Sequence, residues 1–330
     1  MLLYQNTPLK PSGDTRDRLQ NDGNFIGGML ILLMVFLTFG FTVIALLFTL
    51  TGHLTPADLA ADDLNLGDTG FLLFYMGVYA LSMGLPSALG VILFRRSPRR
   101  LIDHQPVSFK VAISGILIGF TGCVAANMAA NYVAQILEQF GITAPEPPVT
   151  IQPTLTSLVL NLVVLAVLPA ILEELLFRGL ILHTLRPYGE WLAVVLTAIL
   201  FGFIHGGITQ SVFAFLVGLV LGWLTVTTRN IWPAIVLHFI NNALSVLLQY
   251  AGLGLDDTHS AILNVLVMYG LAAVGVMVLV LCIRRRVPFL RLPSHGKLSA
   301  VSCAGSLWKT PLMIIALILG VLRMLKMIFF

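Results

Sequence analysis

The amino-acid sequence predicts an all-α protein, a polytopic transmembrane bundle of about eight helices. Of its 330 residues, 58% are hydrophobic and only 10% are charged, whereas soluble domains carry about 25% charged residues. Apolar segments recur from end to end, and most are long enough to cross a hydrocarbon core of about 30 Å. The net charge of +4 indicates no nucleic-acid partner, because membrane proteins accumulate Lys and Arg in cytoplasmic loops.

Three apolar spans are predicted in the first part of the chain, over residues 26–50, 70–94 and 111–137. The polar segment 1–25 lacks the short apolar core and cleavage site of a removable signal peptide, so we expect the first span to be retained. The loop after the first span contains four Asp and neither Lys nor Arg. The second span ends in a basic cluster formed by Arg95, Arg96, Arg99 and Arg100.

Five further spans are predicted, at 157–186, 191–205, 211–228, 231–250 and 262–283. The first of these is expected to continue as helix up to Pro187, with a kink at Pro169. The apolar segment 311–330 contains Arg323 and Lys326, which is compatible with either a ninth span or an interfacial helix. The predicted organisation is a polar tail (1–25), N-terminal spans (26–150), a catalytic core (151–250) and a C-terminal span with its tail (251–330).

Basic residues in alternate loops predict the orientation of the bundle. Lys and Arg precede the first span and follow the second, fourth, sixth and eighth. The positive-inside rule then places the N-terminus in the cytoplasm, and we expect a multi-pass protein of a bacterial plasma membrane. The three cysteines are scattered without a paired spacing and are expected to be inert; they are Cys123, Cys282 and Cys303.

A charged cluster interrupts the fourth apolar run, where residues 170–179 read A-I-L-E-E-L-L-F-R-G. Each charge at mid-membrane costs roughly 2.5–3.5 kcal/mol, so such a cluster is a functional-site hypothesis, with a structural ion pair as the alternative. Glu174 and Arg178 are four residues apart and can pair along one helix face. Glu173 points about 100° away, which predicts that it is left free as the working carboxylate.

Four polar residues on three helices are predicted to lie near one level of the bilayer. Counted from the nearest charged residue at the cytoplasmic helix end, the depth is about 20 Å for Glu173 and about 22 Å for His205. The same rise gives about 14 Å for His238 and about 20 Å for Asn242, which share one helix face. A glycine pair ends the helix that carries His205, and Phe201 is expected to pack beneath that ring.

These residue types are suited to the hydrolysis of an amide bond. A desolvated carboxylate such as Glu173 can act as the base that activates water, and His and Asn donors can stabilise the oxyanion. Alternatively, Glu173, His205 and His238 match the ligand set of a hydrolytic zinc site. Serine hydrolysis is disfavoured because the sequence contains no G-x-S-x-G motif.

Three segments in order carry a family resemblance: E-E-L-L-F-R at 173–178, F-G-F-I-H at 201–205 and H-F-I-N-N at 238–242. They resemble the E-E-x-x-x-R, F-x-x-x-H and H-x-x-x-N motifs of the CAAX protease and bacteriocin-processing family, which includes the type II CAAX prenyl proteases. All motif positions match, and the resemblance covers about residues 155–250.

The resemblance implies an intramembrane endopeptidase whose substrates are membrane-embedded, lipidated or hydrophobic peptides. Glu173 would activate the water, while five further residues would support or complete the site, namely Glu174, Arg178, His205, His238 and Asn242. The family has been described both as metalloproteases and as metal-independent glutamic proteases. The cofactor therefore stays open between a divalent metal such as zinc and none.

Two other functions are compatible with the sequence. A polytopic transporter could use Glu173, Glu174 and Arg178 as an intramembrane proton or ion relay, although no inverted repeat of the transporter kind is evident. A non-catalytic membrane protein of the bacteriocin-immunity type could keep the fold and bind a peptide toxin.

Overall fold

Helices form the regular structure in the computed structural model, which describes residues 15–61, 64–93, 102–143, 149–290 and 300–329. This confirms the predicted all-α polytopic bundle. The helices are, in chain order, α1 (Thr15–Leu50), α2 (Gly67–Leu93), α3 (Phe109–Glu138), α4 (Leu155–Tyr188), α5 (Glu190–Ile204), α6 (Ile208–Thr228), α7 (Trp232–Gly252), α8 (Asp257–Arg284), α9 (Ala300–Trp308) and α10 (Pro311–Phe329).

Among the described helices, seven are long and apolar enough to cross a membrane: α1, α2, α3, α4, α6, α7 and α8. The predicted span at 191–205 is helical, but α5 has only 15 residues and reaches about 22 Å, less than a hydrocarbon core of about 30 Å. It ends at His205 because Gly206 adopts a positive φ of 82°. The chain then turns into α6, which packs against α5.

The first helix begins earlier than its apolar span. We expected residues 1–25 to form a polar tail, but α1 starts at Thr15. Phe25 is fully buried, and Asp22 is buried where its Oδ2 accepts a hydrogen bond of 2.8 Å from the Tyr188 hydroxyl. These contacts to the rest of the bundle explain why the helix extends into a polar sequence.

Several basic residues that predicted the orientation lie outside the described residues. The cytoplasmic N-terminus therefore stays a prediction; the residues concerned are Lys10, Arg95, Arg96, Arg99, Arg100, Arg291 and Lys297.

The C-terminal helix α10 packs along α1 and reaches the end of α5. Gly27 of α1 lies against the backbone at Met313, and Gly320 of α10 lies against the ring of Phe203. Arg323 Nη1 donates a hydrogen bond of 2.8 Å to the carbonyl oxygen of Ile204. This segment therefore packs against the bundle, and it is not among the seven described helices that are long and apolar enough to cross a membrane.

Ion pairs join the helix ends that we used as the cytoplasmic reference level. Glu190 Oε1 lies 3.2 Å from Arg186 Nε and 2.7 Å from Arg229 Nη2. Arg186 also pairs with Asp103 in the segment before α3. His183 also approaches this segment, with its Nδ1 3.8 Å from Asp103 Oδ1. The ends of α4 and α5 and the turn after α6 are thereby held at one level.

Helix α4 is less regular than the single kink that we predicted at Pro169. It is π-helical over two stretches, Val163–Val167 and Leu175–Leu182. Pro169 has no N–H, so the α-helical hydrogen bond to the Leu165 carbonyl cannot form. π-Segments inside α-helices occur frequently at functional sites, and Leu168–Glu174 is the α-helical stretch between these two.

Candidate active site

An ion pair forms the buried base of the candidate site. Glu174 is 0% and Arg178 is 1% exposed, and Arg178 Nη1 lies 3.0 Å from Glu174 Oε1. This confirms the pairing predicted from their spacing. Arg178 is held further by a 3.2 Å hydrogen bond from Nη2 to the Gly218 carbonyl and by the Phe201 ring, whose centroid lies 4.5 Å from its guanidinium carbon.

His238 of α7 lies between the two glutamates. Its Nδ1 is 3.0 Å from Glu174 Oε1, and its Nε2 is 4.0 Å from Glu173 Oε2. A carboxylate paired with arginine only accepts hydrogen bonds, so Nδ1 carries the proton of this contact. Helices α4 and α7 therefore meet at the level that helical rise predicted, with Nε2 on the side of Glu173.

Helical phase had led us to expect a Glu173 side chain without a partner, but the structure shows it hydrogen-bonded to another helix. Its side chain is buried (6% exposed), and its Oε1 accepts a hydrogen bond of 2.6 Å from the hydroxyl of Tyr79 on α2. Sequence reasoning missed Tyr79 because α2 carries no recognisable motif. The depth calculation would have found it, since Tyr79 lies 16 residues before Arg95, which is about 24 Å along a helix.

His205 follows the last turn of α5 and is fixed by its own helix. Its Nδ1 lies 2.7 Å from the Phe201 carbonyl oxygen, which can only accept, so Nδ1 donates and Nε2 is the ring nitrogen left for chemistry. The Phe201 ring packs 4.8 Å from the His205 ring and 6.2 Å from the His238 ring, between centroids. The predicted packing of Phe201 against His205 is confirmed, and this ring also contacts Arg178.

Asn242 has a different contact from the one expected for an oxyanion donor. Its Nδ2 donates a hydrogen bond of 2.9 Å to the carbonyl oxygen of Leu165 in α4. That carbonyl lies four residues before Pro169. It lacks its α-helical donor because proline at position 169 has no backbone N–H. The Oδ1 of Asn242 accepts a bond of 3.1 Å from Asn241, and one N–H of Nδ2 stays available for another acceptor.

The structure does not group the three residues that matched a zinc ligand set, which are Glu173, His205 and His238. Within the described parts of the chain, no group of three or more His, Cys, Asp or Glu side chains could hold a metal ion. His205 directs Nδ1 to a backbone carbonyl, while His238 directs Nδ1 to Glu174.

Comparison with known proteins identifies the segment that contains these residues. Residues 155–244 match the family model of Rce1-like type II CAAX prenyl endopeptidases. This segment of the chain is therefore similar to the CAAX protease family. A search of curated proteins and a search of solved structures gave no match.

The similarity of this segment to a family of membrane proteases, together with seven described helices able to cross a membrane, supports an integral, multi-pass membrane protein. All six residues predicted for the site lie inside the matched segment, whereas Tyr79 and Arg323 lie outside it.

Proposed function

We propose that this protein is an intramembrane endopeptidase in which Glu173 activates water for hydrolysis of a peptide bond. The observation that carries the proposal is the 4.0 Å separation between Glu173 Oε2 and His238 Nε2. This distance is too long for a direct hydrogen bond, but one water molecule can bridge two polar atoms so separated. Both glutamates, Arg178 and His238 are buried, and electrostatic interactions between buried groups are stronger than in bulk water.

The proposed reaction uses Glu173 first as a base and then as an acid. Its carboxylate accepts a proton from water while the water oxygen attacks the scissile carbonyl carbon, giving a tetrahedral oxyanion. The same carboxyl group then donates that proton to the amide nitrogen. The C–N bond breaks to give a carboxylic acid and an amine, and transfer of the acid's proton to the amine gives the carboxylate and ammonium products.

The neighbouring residues have supporting roles in this proposal. Glu174 holds His238 through Nδ1, as in other sites where a carboxylate orients a histidine, and Arg178 pairs with Glu174 and fixes its position. The free N–H of Asn242 is one proposed donor to the oxyanion. His205, whose Nδ1 is held by the Phe201 carbonyl, is proposed to accept a hydrogen bond from the attacking water through Nε2.

The proposed substrates are membrane-embedded or lipidated peptides, whose apolar part partitions into the bilayer beside the bundle. The family model carries the name of prenyl endopeptidases, which makes a prenylated C-terminus the first substrate to test. We further propose a cytoplasmic N-terminus and a location in a bacterial plasma membrane. The basic clusters of alternate loops support this orientation.

The test is peptide cleavage by the full chain in proteoliposomes. The probe is a quenched fluorescent peptide with a farnesylated C-terminal Cys-aliphatic-aliphatic-X sequence, compared with the same peptide without the lipid. Glu173→Ala is expected to lower kcat at least about 100-fold, the usual contribution of a general base. Glu138→Ala, at the exposed C-terminal end of α3, is the matched control and should retain wild-type activity.

Cleavage by Glu173→Ala at the wild-type rate would contradict the proposal. Ion or solute uptake into the vesicles without peptide hydrolysis would support the transporter alternative instead. Metal analysis of the purified protein, made beside activity measurements with and without a chelator, distinguishes the glutamic from the metallo type.

A further inference from the structure

We propose that Tyr79, which lies outside the family segment, is the positioning residue for Glu173. Its hydroxyl holds Oε1 of the carboxylate, so that Oε2 is the oxygen directed toward the reacting water. The catalytic part of this inference rests on the function proposed above, whereas the contact itself can be tested without any protease activity.

The geometry of the contact is that of a strong hydrogen bond. The Tyr79 hydroxyl lies 2.6 Å from Glu173 Oε1, within the range of about 2.5–2.7 Å found for hydroxyl groups that donate to carboxylates. The other carboxylate oxygen lies on the side of His238 Nε2. The two oxygens of Glu173 therefore have different neighbours, one a donor from α2 and the other the histidine of α7.

Holding one oxygen has a consequence for the chemistry. A glutamate side chain loses rotamer freedom when it is fixed in one conformation. If Tyr79 fixes it before the substrate arrives, this loss is not added to the activation barrier, which is the advantage of a preorganised site. The tyrosine hydroxyl in turn obtains the partner that a polar group needs inside an apolar bundle.

The packing of α2 explains how a helix without a motif reaches the site. Helix α2 contacts α4 along three successive parts, Leu155–Leu162, Val163–Val167 and Leu168–Glu174. It therefore runs beside the irregular region of α4 up to the glutamates, and this places Tyr79 in contact with Glu173. Tyr75, one turn earlier on α2, packs its ring 6.3 Å from that of Phe71 and provides a matched control.

The first experiment compares Tyr79→Phe and Tyr75→Phe in the full chain, reconstituted and assayed with the farnesylated peptide. Hydrogen bonds to charged groups are stronger than those between neutral groups. Losing one from a transition state lowers the rate by roughly 10- to 100-fold. We expect kcat of Tyr79→Phe to fall by that factor while KM and the melting temperature stay near the wild-type values. Tyr75→Phe should leave kcat, KM and melting temperature unchanged.

The second experiment measures the carboxyl group of Glu173 directly. Dicyclohexylcarbodiimide is apolar and reacts with protonated carboxyl groups inside membranes, and mass spectrometry locates the label at Glu173. In the wild type the Tyr79 hydroxyl occupies Oε1 of Glu173, which makes this oxygen less available to the carbodiimide. Labelling of Glu173 is therefore expected to become several-fold faster in Tyr79→Phe and to stay unchanged in Tyr75→Phe.

The outcomes separate this inference from the function on which it rests. Unchanged labelling in Tyr79→Phe overturns the contact, and changed labelling with unchanged kcat overturns the positioning role. If the wild type cleaves neither peptide while labelling rises in Tyr79→Phe, the proposed function fails and the contact stands. If Tyr79→Phe is unstable, a double-mutant cycle of melting temperatures with Glu173→Gln decides, because additive effects would overturn the contact.

Discussion

Glu174 shows why single residues in this site cannot be exchanged independently. One of its oxygens contacts both Arg178 and His238, each at 3.0 Å, and all three side chains are buried. Removing one member of a buried ion pair leaves an uncompensated charge, which typically costs about 3–5 kcal/mol. Loss of activity after mutation of Glu174 or Arg178 would therefore report folding as well as chemistry, and residues outside this pair are more informative.

Asn242 is such a residue, because its contact with Leu165 predicts a role in stability that can be separated from chemistry. We expect Asn242→Ala to lower the free energy of unfolding by about 1–3 kcal/mol, since it leaves a carbonyl of α4 without its donor. In a Pro169→Ala background, residue 169 regains an N–H that can bond to Leu165, so the loss should be smaller. Four proteins are compared, namely the wild type, Asn242→Ala, Pro169→Ala and the double variant. Unfolding titrations in detergent measure the difference.

The same four proteins also separate the two roles of Asn242. If Asn242 donates to the oxyanion as well, Asn242→Ala should lower kcat equally in both backgrounds. Equal losses of stability in both backgrounds would contradict the anchoring role, because Pro169 would then have no part in the requirement for Asn242.

At the scale of elements, α10 contributes a polar contact beside the site. Arg323 bonds to the carbonyl of Ile204, the residue before His205, and a charged residue within an apolar helix suggests function. Arg323→Met is expected to lower kcat roughly tenfold, since a lost hydrogen bond from a charged donor is worth about 1.5 kcal/mol or more. Cleavage of the farnesylated peptide measures the effect, and Lys309→Met, an exposed residue before α10, is the control.

A drop in activity with both variants would show a general effect of charge near α10, and wild-type activity of Arg323→Met would show that the contact does not matter to His205.

The elements also show what the sequence could and could not predict. Motif spacing and helical rise located the buried pair in α4 and brought His238 to it, because both follow from local geometry. The π-segments of α4 were not predictable, since hydrophobic periodicity does not reveal which hydrogen-bond register a helix adopts. Contacts between helices far apart in sequence, such as Tyr79 with Glu173, depend on packing that no single segment encodes.

At the scale of the whole molecule, three regions of the chain converge on one site. The family segment supplies both glutamates and both histidines, α2 supplies Tyr79, and α10 supplies Arg323. The orientation of the bundle decides which side of the membrane each end of these helices faces. That orientation was inferred from loop charges, including many outside the described residues, and it has a direct test.

Labelling of single cysteines in intact cells checks the orientation. The native cysteines Cys123, Cys282 and Cys303 are buried and can be replaced by alanine to give a background without thiols. With a cytoplasmic N-terminus and positive loops inside, Thr258→Cys at the start of α8 should react with a membrane-impermeant maleimide. Arg285→Cys at the other end of α8 should react only after the membrane is permeabilised. Both positions are exposed, so the reverse pattern would mean that the bundle, and the site within it, faces the opposite way.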